Sequence, residues 1–243
     1  MEHVEYDRMN ATEDAMWWYR AAHENLLDAF RRAPGPPDSV VVDAGCGTGG
    51  LLRRLAPLAG GRTRIGIDVH PPAAALARRK SGALVAIASA NRLPFADSSL
   101  GVVFSVDVLC HRQVDPPQAL AEAYRCLQPG GALIVNVPAY AWLMSFHDRQ
   151  VHNARRFDRR GLLALLAAAG FASIRAGYWN CLLFPLMVLR RKLFKPDESA
   201  SDVAAFPGLA ERGFAALMSI ERAGARLGLR YPFGGSLLAI ATK

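Results

Sequence analysis

A chain of 243 residues, 51% hydrophobic and 21% charged, has the make-up of one folded domain or one elaborated domain, which excludes wholesale disorder; its 21 Gly and 15 Pro are scattered, which excludes collagen-like and low-complexity chains. The formal net charge of +8 is one-sided: residues 1–146 hold 14 basic and 14 acidic side chains, whereas residues 147–243 hold 15 and 7. The basic part suits a phosphate, an anionic amphiphile, a membrane surface or nucleic acid, and the neutral part a different partner.

In chain order, Met1–Glu5 is polar and acidic with no apolar signal core, and no apolar run is long enough to span a bilayer, so a cytoplasmic protein is expected. An amphipathic helix over about Asp14–Arg32 ends at Pro34-Gly35-Pro36-Pro37. Apolar runs at Ser39–Asp43, Thr63–Asp68, Ala83–Ala88, Leu100–Val106 and Ala132–Val137 then alternate with helical patterns at Gly49–Ala59, Pro72–Lys80 and Pro117–Leu127. Each run is nearly continuous, as strands are when helices cover both faces of a parallel sheet. Gln128-Pro129-Gly130-Gly131 reads as the turn that stops one helix and launches the next strand. A helix over Gly161–Ala169 and strands over Ala172–Tyr178 and Ser236–Thr242 complete a doubly wound α/β pattern of seven strands.

The stretch Trp179–Gly235 is too long for a plain connection. It holds an apolar segment (Cys181–Leu189), a basic cluster (Arg190, Arg191, Lys192, Lys195), a polar turn (Pro196–Asp202) and a helical pattern (Leu209–Leu227). The predicted organisation is a cap helix over 1–37, a core of 38–178 with 236–243, and a helical insertion over 179–235 acting as lid, membrane contact or dimer surface. Cys46, Cys110, Cys126 and Cys181 include no CxxC pair, so reduced thiols and no metal site are expected.

The strongest chemical signal is Asp43-Ala44-Gly45-Cys46-Gly47-Thr48-Gly49, set between a strand and a helix, where glycines let the backbone approach a ligand closely. Asp68 ends the next strand 25 residues after Asp43, where a carboxylate can accept both hydroxyls of a ribose. Glycines at alternate positions lack the two-residue gap of a dinucleotide fingerprint, which disfavours a pyrophosphate cofactor.

With these features the chain resembles the class I S-adenosylmethionine-dependent methyltransferases over about residues 38–175. The Asp43–Gly49 loop is similar to the family's first motif and Asp68 to its ribose-binding acid. Arg92-Leu93-Pro94-Phe95 with Leu100–Val103, Asp107–His111, and Leu127-Gln128-Pro129-Gly130-Gly131 are similar to its later motifs. The resemblance implies a Rossmann-like sheet, mostly parallel with an antiparallel last strand, and S-adenosylmethionine as cofactor with S-adenosylhomocysteine as product. It implies that Gly45, Gly47 and Gly49 pack on the methionine portion and that Asp43 orients that loop and the ammonium. It also implies that Asp68 and Val69 hold ribose and adenine, that Ala90 and Asn91 edge the adenine, and that Asp107 lies near the sulfonium. The chain departs from the family pattern at Ser89, where an acid often meets the adenine, and at Gly101. A narrower resemblance, carried by Met16–Arg20, His147–Phe157, Leu183-Phe184-Pro185 and Pro232–Leu238, points to a bacterial subgroup associated with glycan or lipid pathways.

In this fold the acceptor lies beyond the carboxyl ends of strands four and five. His147 and His152 are candidate bases because imidazole titrates near neutrality, and Tyr140 is a candidate for stabilising a developing cation through its ring. Trp17, Trp18, Tyr19, His111, Trp142, Arg155 and Arg156 are the candidate acceptor contacts, the arginines for a phosphate or carboxylate. The expected activity is methyl transfer to a small or amphiphilic, anionic acceptor: a specialised metabolite, a prenyl phosphate or a lipid-linked sugar. Nucleic acid is the disfavoured partner, since no base-flipping motif or RNA-binding module is apparent. An RNA methyltransferase and a non-catalytic cofactor-binding protein stand as the alternatives. Peripheral membrane contact and a monomer or homodimer complete the expectation.

Overall fold

The computed structural model describes residues 3–193 and 208–243. Lys195 and the turn Pro196–Asp202 therefore lie outside the described residues, as does the side chain of Lys192. Seven strands form one sheet: β1 (Val40–Ala44), β2 (Arg64–Asp68), β3 (Leu84–Ile87), β4 (Leu100–Val106), β5 (Leu127–Pro138), β6 (Ser173–Trp179) and β7 (Ser236–Thr242). Their order is β3-β2-β1-β4-β5-β7-β6, and β7 runs antiparallel to both of its neighbours. This is the Rossmann-like, doubly wound α/β architecture, with the strand order reversing between β1 and β4, where such sheets open a crevice at their carboxyl ends.

The period of two along each strand divides the core. Val41, Val102, Phe104 and Ile134 face α2 (Trp17–Arg32) and α3 (Gly50–Leu55), where Leu26, Phe30, Leu51 and Leu55 bury against them. Val42, Val103, Leu133 and Val135 face α5 (Pro116–Cys126) and α7 (Arg159–Ala168) through Leu120, Leu162 and Leu166. Burying each such side chain contributes about 1.5–3 kcal/mol, so the central strands fix the frame. Helix α4 (Pro71–Ser81) packs on α3, with Ala77 beside Leu52.

Four local features differ from the sequence expectations. The amino-terminal cap is two helices, α1 (His3–Thr12) and α2, because Glu13 at the break turns inward to Thr48 and Lys80. Helix α3 stops at Leu55, ahead of Pro57. Gln128–Gly131 stays within β5, because the Gly130 N–H donates to the Lys243 carbonyl at 3.0 Å and the Lys243 N–H donates to that of Gly131 at 3.0 Å. Strand β3 lies at the sheet edge, so Leu84 and Ile87 are exposed instead of covered.

After β5 come the short α6 (Phe146–Gln150) and then α7; between β6 and β7 lie α8 (Phe184–Leu193) and α9 (Gly208–Arg226). Helix α9 lies along α2. Its buried Glu221 accepts the Cys181 and Leu182 backbone N–H groups at 2.8 and 2.9 Å, which fixes the approach to α8. All four cysteines are free and buried. Among the described residues no helix is long and apolar enough to cross a membrane.

Candidate active site

One cavity of about 860 Å³ follows the carboxyl edge of the sheet, within the range of small-molecule sites. At its first end, β1 runs into a loop whose Gly45 and Cys46 N–H groups donate to the Ile67 carbonyl at 2.8 and 2.9 Å, joining the loop to β2. Gly45 has φ 89°, and a Cβ there would run into the Val108 side chain, so the position is closed to other residues. Asp68 closes the loop: its Oδ2 accepts the Gly47 N–H at 2.9 Å and its Oδ1 the His70 N–H at 2.9 Å. Burial raises the Asp68 pKa against these hydrogen bonds.

Asp43 is only 2% exposed, and among the described residues its Oδ1 meets no hydrogen-bond donor. Burial, then the charges of Asp68 and Glu13, push its carboxyl up to about 7. Above this end lies α1, where the Tyr6 ring stacks on His70 at 4.3 Å between centroids. Tyr6, Met9, Glu13 and Met16 complete the wall; none of them is among the candidate contacts that the sequence offers.

The second end is built from the ends of β4, β5 and β6. Asp107 and Asn180 directly follow β4 and β6 with φ of 53° and 60°, and His152 has φ 59°. Left-handed backbone at these three cavity-lining residues is strain of the kind that packing tolerates at functional sites. The Asn136 Nδ2 donates to Asp107 Oδ1 at 3.0 Å, and Trp179 Nε1 donates to Asn136 Oδ1 at 2.8 Å. Burial pushes the Asp107 carboxyl up to about 7, opposed by Asn136 and Arg156. Burial pushes His111 down to about 4, so its imidazole is neutral at pH 7.

Behind this wall, Asp148 accepts Arg156 Nη2 at 2.9 Å, both groups almost fully buried. Burial would raise Asp148, but Arg156 and Asn153 outweigh it and hold it below its ordinary value. Arg112, Arg190 and Arg191 also reach the cavity, the last two from α8. Among the described residues no three His, Cys, Asp or Glu side chains converge on a metal position.

Of the residues singled out in the sequence, Asp43, Gly45, Gly47, Asp68, Val69, Ala90, Asp107, Trp17, Trp18, Tyr19, His111, His147, His152 and Arg156 line this one cavity. Five do not. Gly49 packs against Ala77 of α4. Asn91 donates to the Gln113 carbonyl at 2.9 Å and accepts the Asp115 N–H at 3.0 Å, so it ties two loops together. Arg155 donates through Nη1 to the carbonyls of Leu109, His111 and Val114 at 3.0, 3.2 and 2.7 Å, which ties its guanidinium to the backbone. Tyr140 stacks on Tyr178 at 5.3 Å and packs with Trp142 and Phe184 outside the cavity, where Trp142 is 51% exposed. Trp17 and Trp18 both line the cavity and dock α2, packing on Phe214 of α9 and on Trp179.

Residues 42–135 match the methyltransferase domain family. Over 232 residues the chain is 32% identical to an uncharacterized 37.1 kDa protein of a Streptomyces fradiae transposon, covering 88% of this chain and 62% of that protein. Over 139 residues it is 34% identical to the demethylmenaquinone methyltransferase of Thermus thermophilus, covering 54% of this chain and 59% of that enzyme. The chain thus spans about six-tenths of the length of these curated relatives. A solved S-adenosylmethionine-dependent methyltransferase from Thermotoga maritima superposes with a TM-score of 0.59 at 25% identity, covering 99% of this chain and 95% of that one. The domain family that residues 42–135 match and the structural neighbours are class I S-adenosylmethionine-dependent methyltransferases, and this chain has their Rossmann-like fold. The cofactor of that family is S-adenosylmethionine.

Proposed function

We propose that this chain transfers a methyl group from S-adenosylmethionine to a small or amphiphilic acceptor bearing an anionic group. The supporting observation is the uneven charge along one cavity: carboxylates Asp43, Asp68 and Glu13 stand around the glycine loop, whereas beyond β4 and β5 Arg112, Arg156, Arg190 and Arg191, with three histidines, outnumber Asp107 and Asp148. The cofactor supplies an electrophilic methyl carbon on a sulfonium. Its donor set fits the first end, since the unpartnered Asp43 Oδ1 suits an ammonium and Asp68 suits ribose hydroxyls. Gly45 and Gly47 line the methionine portion, Val69 and Ala90 the adenine, and Asp107 the sulfonium end, whereas Gly49 and Asn91 only support those loops. His147 or His152 takes the acceptor's proton when the acceptor is an amine or alcohol, and Trp17, Trp18 and Tyr19 wall its apolar body.

In this reading α8 and α9 form the lid of the 179–235 insertion. Leu182 just before α8 and Leu189 within it are 45% and 47% exposed, and such apolar exposure suits peripheral contact with an anionic membrane. The test is incubation with methyl-labelled S-adenosylmethionine and separate polar-metabolite, lipid and RNA fractions of a bacterial extract. Label in an anionic metabolite or lipid is expected. Label confined to RNA would replace this acceptor class, and cofactor binding without label in any fraction would favour a non-catalytic protein.

A further inference from the structure

Three carboxylates meet at the glycine-loop end of the cavity, and only two of them belong to the sheet. Asp43 and Asp68 come from β1 and β2; Glu13 comes from the break between α1 and α2. Glu13 is 3% exposed, and its Oε1 accepts both the Thr48 hydroxyl and the Lys80 ammonium. Lys80 also donates to the Asn10 carbonyl at 3.2 Å, so the amino-terminal segment is seated on α4 from outside the cavity lining. The other carboxylate oxygen, Oε2, lies over Gly50, where any Cβ would collide with it and would stand 3.0 Å from His23 Cε1.

The charges do not balance at this end. Among the described residues no lysine or arginine is hydrogen-bonded to Asp43 or Asp68, and Lys80 serves Glu13. Two atoms in the same wall, Asp43 Oδ1 and His23 Nδ1, are buried without a hydrogen-bond partner among the described residues, and both residues are more than nine-tenths buried. Buried carboxylates in excess of cations cost stability unless a cation with hydrogen-bond donors joins them. An ammonium group brings three donors and one positive charge.

We infer that Glu13 is a ligand of the ammonium group of S-adenosylmethionine, completing with Asp43 a two-carboxylate site that the amino-terminal segment closes. The inference rests on the cofactor reading above and adds a residue from outside the sheet to it. Thr48 and Lys80 orient the Glu13 carboxylate, and Gly50 leaves it room. The amino-terminal segment thereby reads the amino-acid half of the cofactor, whereas Asp68 reads the ribose.

Calorimetric titration of the full chain with S-adenosylhomocysteine and with 5′-methylthioadenosine, which lacks the amino-acid portion, separates these roles. Glu13→Gln is expected to weaken S-adenosylhomocysteine about tenfold, equivalent to about 1.4 kcal/mol, and to leave 5′-methylthioadenosine within about twofold of wild type. Asp68→Ala is expected to weaken both. Equal loss of both ligands in Glu13→Gln would make Glu13 a purely structural latch, and unchanged S-adenosylhomocysteine affinity would remove it from the site; either overturns the inference. Glu13→Asp keeps the charge and shortens the reach, so it decides the matter if Glu13→Gln does not fold: a selective loss for S-adenosylhomocysteine supports the ligand role, and parallel behaviour of the two ligands overturns it. Failure of the wild-type chain to bind either nucleoside would instead defeat the cofactor reading itself.

Discussion

The Asp28 carboxylate grips the Arg222 guanidinium through two hydrogen bonds, 2.6 Å from Nε to Oδ2 and 3.0 Å from Nη2 to Oδ1, and so ties α2 to α9. Arg226 adds a second pair to the same carboxylate at 2.7 and 2.6 Å, and Arg222 also reaches Glu24 at 2.8 Å. Helices α2 and α9 are therefore held side by side, although they stand far apart in the sequence.

Asp28→Asn should lower stability at pH 7 by about 1–2 kcal/mol, because charge-assisted pairs at a partly solvated site are worth less than buried ones. Burial alone would raise the Asp28 pKa, but hydrogen bonds from Arg226 and Arg222 hold it well below the ordinary carboxylate range. A depressed carboxylate pKa stabilises the fold above its unfolded value, near 4, and that contribution fades as pH falls further. Thermal melts of both proteins should therefore converge below about pH 4. A constant difference between pH 7 and pH 3 would show that the ion pairs do not hold the two helices together.

Asp43 gives the opposite dependence. With its carboxyl pushed up to about 7 by burial, then by Asp68 and Glu13, the ligand-free chain binds a proton there that the unfolded chain does not. Stability of the ligand-free chain should thus fall as pH rises from about 4 to 7. Binding a cationic group requires the carboxylate, so S-adenosylhomocysteine affinity should rise through the same pH range and its binding should release a proton near pH 6. Calorimetry in buffers of different ionisation enthalpy measures that proton directly. Asp43→Asn should reduce the release, leaving any share due to Asp107, and a wild-type chain that binds with no proton exchange would disprove the assignment of Asp43 to the ammonium.

The parts of this site that sequence patterns expose are those whose chemistry is local. The glycine loop and Asp68 belong to a single strand–turn–helix–strand unit, and the seven apolar runs mark all seven strands. Residues whose role depends on a distant partner are silent. Glu13 stands in a polar stretch like any solvated one, and only its contact with Thr48 and Lys80 distinguishes it. Arg155 and Arg156 are adjacent and chemically identical, yet one is tied to three backbone carbonyls and the other pairs with buried Asp148 beside the cavity. Tyr140 has the residue type of a catalytic group and lies near a strand end, but the left-handed backbone at that position turns its ring onto Tyr178.

The cationic end of the cavity supplies the last prediction. Arg190 and Arg191 project from α8 into the cavity, and Lys192 follows them in sequence. Arg191 also donates to the Leu143 carbonyl at 2.8 Å and stands 3.9 Å from Asp148, so its loss loosens the wall as well as the charge. Arg190→Gln removes one positive charge from the cavity lining, where a charge acts on an anionic acceptor with a reach set by ionic strength. It should raise the acceptor KM by about threefold to tenfold at low salt with little change in kcat, and added salt should narrow the gap, because such a contact is made equally in ground and transition states. In the absence of an identified acceptor, flotation with vesicles containing phosphatidylglycerol measures the same charge against a membrane, and weaker retention of Arg190→Gln is expected at low salt. A variant that matches wild type in both measurements at low salt would make α8 a structural element and take away the main support for an anionic acceptor.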